Sequence, residues 1–182
     1  MAIVASDIQL LLSTTAGSAG FSNTSTPAGS LGKYCSTSTI TDNVSNNVFP
    51  NITGDQNAGA PYTDYSCVFV LNNHATLPLQ NAVVYLSSQV SGGADITIAT
   101  DNIAASAKGG SSAQAANIAN STTAPTGTSS FSAPTTKGAG LSLGTINAGQ
   151  VKGIWVKRNL ASTVSAQNAD GATIAVAGDT AA

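Results

Sequence analysis

The side chains that could carry chemistry are few and far apart. His74 is the only histidine, so a Ser-His-Asp or Cys-His device would have to use it as its base. Its flank, Leu71-Asn72-Asn73-His74-Ala75-Thr76, reads as a strand passing into a loop, where an imidazole caps backbone groups or meets a neighbour. No Gly-x-Ser-x-Gly turn offers a nucleophile. Cys67 lies in the most apolar run of the chain, Ser66-Cys67-Val68-Phe69-Val70-Leu71, where desolvation opposes a thiolate. Cys35 and Cys67 are the only cysteines. In a reducing compartment they read as two small buried apolar residues, with a disulfide as the alternative.

The eight acidic residues are all Asp. They are scattered at turn-like positions such as Asp42, Asp55, Asp101, Asp170 and Asp179, where a carboxylate bonds nearby backbone N–H groups. Glycoside hydrolysis needs two carboxylates facing each other in an enclosed cleft, and nothing in this spacing points to one. One His and two separated Cys do not make a zinc site. The Asp/Asn-rich loops Asn51 to Asn57 and Gln167 to Gly171 lack EF-hand spacing, and turn chemistry accounts for them. The expectation is no catalytic residue, no metal and no cofactor. Three residues remain as possible contacts for a partner or a glycan: Trp155, Tyr85 and His74. An exposed Trp155 beside Lys157 and Arg158 could stack on a sugar or anchor a protein. The competing reading places Trp155 in the core of a sandwich strand.

Composition narrows the classes further. At 182 residues the chain fits one moderate domain, or a domain with an extended arm. Only 8% of residues are charged, against roughly a quarter in ordinary soluble domains. Ala, Ser, Thr, Gly and Asn dominate, so much of the surface must be methyl, hydroxyl and amide, which suits close packing against neighbours. Six dispersed basic residues and a net charge of −2 offer no footprint for phosphates, so nucleic acid is not an expected partner. The opening residues lack a basic n-region. The apolar run ending Ile8-Gln9-Leu10-Leu11-Leu12 is too short to span a bilayer, so synthesis in a cytoplasm and no membrane partner are expected.

Scarce Glu, Lys and Arg with abundant Thr, Val, Ile, Ser, Asn and Gly favour strands and turns over helices. Residues 1–60 read as an extended arm and loop region, interrupted by a candidate strand from Tyr34 to Ile40. Such long aperiodic stretches belong to disorder or to segments ordered by a partner. From residue 61 the pattern tightens. The run Ser66 to Leu71 predicts a strand covered on both faces. Asn81-Ala82-Val83-Val84-Tyr85-Leu86 predicts the next strand, with Pro78 kept out of a central ladder. Asp95-Ile96-Thr97-Ile98-Ala99 alternates with period two. Ser111 to Asn120 is the one window with helical content. Leu141 to Ile146, Val151 to Arg158 and Ala172 to Ala177 complete the strands. Without βαβ alternation, residues 61–182 are expected to form a β-sandwich.

The phrase Leu141-Ser142-Leu143-Gly144-Thr145-Ile146-Asn147-Ala148-Gly149-Gln150, feeding the strand with Trp155, resembles the E-to-F corner of immunoglobulin-like and fibronectin-like domains. The run Asp64 to Leu77, the segment Asn81 to Leu86 and the ending Val151 to Asp179 resemble small virion proteins of tailed phages, over roughly residues 60–182 and an entry near Leu31-Gly32-Lys33-Tyr34. That resemblance carries no catalytic motif. It implies a structural virion protein with an Ig-like sandwich, such as a capsid decoration or minor capsid subunit. Its partners would be copies of itself and other virion subunits such as the major capsid protein. The alternative is a neck, tail or fibre component, with a carbohydrate-binding module for host-surface glycan.

Overall fold

The structure, a computed structural model, describes residues 2–17, 20–52, 59–162, 164 and 170–180. These form nine strands: β1 (Ile8–Thr14), β2 (Tyr34–Thr39), β3 (Tyr62–Asn72), β4 (Leu79–Gln89), β5 (Asp95–Thr100), β6 (Ser106–Ala107), β7 (Leu141–Ile146), β8 (Gln150–Leu160) and β9 (Ala172–Thr180). The protein is all-β, with two antiparallel sheets. The larger runs β2-β1-β3-β8-β5, with β6 also pairing to β8, and the smaller runs β7-β4-β9. β3 pairs along the length of β8, from Tyr62 opposite Leu160 to Leu71 opposite Val151.

Alternation along β3 and β8 explains the continuous apolar run. Val68, Val70, Ile154 and Val156 point toward the smaller sheet and meet Leu79, Ala82, Val84, Leu86, Leu143 and Ile146 in one core. The intervening Cys67, Phe69, Leu71, Val151 and Trp155 point the other way into a second core. A strand buried on both faces has no polar side to show in its sequence. The second core is closed by coil. Ala115 and Ile118 belong to it, with Phe21, Leu31 and Phe131 packed against it. Backbone bonds fasten this cover: Lys33 N to Ala116 O at 3.0 Å, Ile118 N to Leu31 O at 3.0 Å, and Tyr65 N to Ser121 O at 2.7 Å.

Two expectations are corrected here. Residues 1–60 are not one arm, because β1 is an inner strand of the larger sheet, pairing Ile8 to Leu12 with Asn72 to Val68 of β3 and also pairing β2. The run Ile8 to Leu12 is a strand because Leu11 and Leu12 fill core positions that β3 alone could not cover. The window Ser111 to Asn120 has no helix; its backbone donors are taken by Lys33 O, Leu31 O and the Asp101 carboxylate, which hold it as bent coil over the sheet. Gly32 fits this junction because its φ is +92° and a Cβ there would lie 1.9 Å from Ala116 O. Pro78 stands just before β4, outside the ladder.

Cys35 and Cys67 are both buried and unpaired. Cys35 sits opposite Ser13 on β2, whereas Cys67 is on β3 at the far side of β1. Two strand spacings, about 10 Å, exceed the reach of a disulfide. Ser30 is wedged at this point: its Oγ donates to Cys67 O at 2.6 Å and accepts from Ser13 N at 2.8 Å.

Candidate functional site

Trp155 is fully buried. Its Nε1 donates to Asp101 Oδ2 at 2.9 Å, so the indole is a core anchor and presents no face to a sugar. The structure thereby corrects its candidacy as a glycan or partner contact. Asp101, by its sequence context one more turn residue, is only 1% exposed and joins three elements. Asp101 Oδ2 accepts from Ala116 N at 2.7 Å and Oδ1 from Ile103 N at 2.8 Å. Its backbone carbonyl, together with that of Ile103, accepts from Lys152 Nζ, both at 2.6 Å. Burial pushes the Lys152 ammonium below its ordinary range, and the Asp101 charge opposes that push. The cluster ties the 101–120 coil to β8. Asp101 and Trp155 at its centre are closed to solvent.

His74 is half-buried at the β3–β4 turn. Its Nδ1 accepts from Thr76 N at 3.1 Å and Leu77 N at 2.9 Å, while the His74 backbone N–H donates to Asn72 Oδ1 at 3.1 Å. The imidazole is used to build the turn. Tyr85 lies half-buried on the outer face of the smaller sheet, opposite Ala175 of β9. His74, Tyr85 and Trp155 therefore stand in three separate places and do not converge.

Other ionisable groups are spent on the fold. Arg158 forks onto Asp64 through Nε at 2.9 Å and Nη2 at 2.6 Å, and Nη1 donates to Pro50 O at 3.0 Å. The guanidinium also lies 4.5 Å from the Phe49 ring centroid, so the pair pins the 49–50 turn against the sheet end. Burial pushes the Cys35 thiol up to about 12 and the Cys67 thiol well above its ordinary range. No group of three or more His, Cys, Asp or Glu side chains fit to hold a metal occurs among the described residues.

What the fold leaves open is an edge. β2 is covered by residues 23–25, through Thr37 N to Asn23 O and the Ser25–Ser38 bonds. β5 is covered by residues 128–132, through reciprocal bonds between Ile98 and Ser132. β7 is short, and its pairing with β4 is irregular around Gly144. β9 runs nine residues and pairs only with β4, and among the described residues no segment bonds to its other edge. β4 and β7 carry no charged residue and β9 only Asp179. Asp179 accepts from Asn81 at 3.0 Å and pairs with Lys137 at 3.4 Å, which hold its carboxyl below the usual range.

Beside this edge lies a slot of about 380 Å³ between β1 and β9, lined by Ile8, Leu10, Ile40, Ile174 and Val176 with Asp42 at its rim. It adjoins a larger groove of about 1250 Å³ flanked by the exposed Val44 and Val90. Unpaired backbone donors and acceptors next to half-buried apolar side chains can bind an extended chain. Comparison with protein-family models, with curated proteins and with solved structures returned no match to this chain.

Proposed function

We propose that this chain is a structural subunit of a tailed-phage particle, a capsid decoration or minor capsid protein that assembles with neighbouring shell subunits. The observation that carries the reading is the β9 edge, uncapped among the described residues, on a sheet almost free of charge. Soluble monomers blunt such edges with Lys, Pro or bulges, whereas an assembly subunit keeps one available. Low charge throughout the chain and the resemblance of residues 60–182 to small virion proteins support the same conclusion. The polar side chains that a catalytic reading would have used instead build turns and the interior.

The Ig-like part of the proposal extends to architecture alone. In the immunoglobulin CFG sheet the middle strand is second in chain order, whereas β4, the centre of the smaller sheet here, comes first. The neck, tail or fibre alternative with glycan binding loses Trp155 as an aromatic anchor, because that residue is buried. Immunogold microscopy of purified particles tests the station. Label over the shell is the expected result, label on the tail supports the alternative, and unlabelled particles contradict the proposal.

A further inference from the structure

We propose that the β9 edge and the slot beside it accept an extended segment donated by another subunit, apolar at alternate positions and carrying one cation that meets Asp42. This rests on the assembly reading above and names the kind of partner it requires.

Three observations define the occupant. First, β9 is a complete template. Its pairing with β4 contains two irregularities, and in both the extra residue belongs to β4, so β9 itself runs without a bulge from Ala172 to Thr180. Its free edge offers a row of N–H and C=O groups that only another extended backbone can satisfy as a ladder. Second, the flanking slot takes side chains. Ile8, Leu10, Ile40, Ile174 and Val176 are half-buried around it, so a strand added beside β9 would direct every second side chain toward them. Third, the charges select the partner. Asp179 is already matched by Lys137, which makes the strand itself neutral. Asp42 is exposed at the slot and has no ion pair among the described residues. A Lys or Arg on the incoming segment complements it.

The layout of the sheets disfavours a second copy's β9 as the occupant. β7 lies across from β5 and β8, and β9 across from β1, so β2 and its covering coil project past the β9 edge. Two-fold pairing of β9 with β9 would bring two such projections into the same space. A single donated strand resting on the projecting shelf meets no such obstacle.

The test uses the full chain, isotopically labelled, and the peptide acetyl-Lys-Val-Thr-Val-Thr-Val-Thr-amide. The expected result is a set of shift changes confined to β9 amides and to the methyls of Ile8, Leu10, Ile40, Ile174 and Val176. Binding should be abolished when alternate peptide nitrogens are methylated, since that removes the ladder donors without touching the protein. Asp42→Asn, an exposed change that leaves the fold intact, should weaken the Lys peptide about threefold. Changes elsewhere, no changes, or equal binding of the methylated peptide would overturn the proposal. So would sedimentation of the free chain as a dimer with protected β9 amides, which would make a second copy the occupant. Failure here with shell-labelled particles would remove the donated strand and leave the assembly reading standing; unlabelled particles would remove that reading whatever the peptide does.

Discussion

At the residue scale, most of the buried polar groups act as internal fasteners, and Asp101 is central among them. Replacing it with Asn keeps its shape but exchanges one acceptor oxygen for a donor, facing Trp155 Nε1–H, Ala116 N–H and Ile103 N–H. Asp101→Asn should destabilise the fold by about 1.5–3 kcal/mol, the range for hydrogen bonds to a charged group. Urea unfolding followed by Trp155 fluorescence reads this directly, because Trp155 is the only tryptophan. Ser66 behaves oppositely: its buried Oγ has no partner among the described residues. Ser66→Ala should be neutral or stabilising, by up to about 1 kcal/mol in the same assay. Alkaline stability follows from the two thiols. Cys35 is raised to about 12 and Cys67 is also raised, so above pH 9 the unfolded chain gives up protons that the folded chain keeps. Stability must then fall as pH rises. The lowered Lys152 has the opposite sign up to its ordinary 10.5, and it is outnumbered. Denaturation curves between pH 9 and about 12 should show this decline, and Cys35→Ala should flatten it by about 1.4 kcal/mol per pH unit.

At the element scale, the arm expected over residues 1–60 is replaced by β1 and β2 inside the larger sheet. Amides from Ile8 to Leu12 should therefore exchange hydrogen as slowly as those of their partners in β3, in the isolated protein. The junction of coil and sheet is equally specific. Gly32→Ala forces a Cβ into Ala116 O at a left-handed φ and should cost about 3 kcal/mol or release the 111–120 coil. These elements also show how far sequence could lead. β3, β4, β5, β7, β8 and β9 were legible because their apolar runs are bounded by turn residues. β1 was not, since its Ile-Gln-Leu-Leu-Leu run is followed by a long Gly/Ser/Thr stretch and its neighbour β3 lies more than fifty residues away. The small residues of 111–120 suggested a helix because nothing local reveals that Leu31 and Lys33 take its donors. Asp101 looked like a turn residue for the same reason, as Trp155 approaches it only through the β5–β8 register. The β9 edge was invisible, because being unpaired is a property of the whole sheet and leaves no motif.

At the scale of the whole molecule, two cores back to back on one sheet make a thick body fastened by a small set of buried polar residues. What it turns outward is mostly methyl, hydroxyl and amide, with the long β9 edge unpaired among the described residues. Such a surface repels neighbours little and can meet them closely, which is the physical basis for proposing that the chain joins an assembly. The most direct measurement is quantitative mass spectrometry of the chain in gradient-purified phage particles. The account predicts a fixed copy number that follows the symmetry of the shell and survives a salt wash, because few ion pairs hold the contact. Absence of the chain from the particles would contradict it.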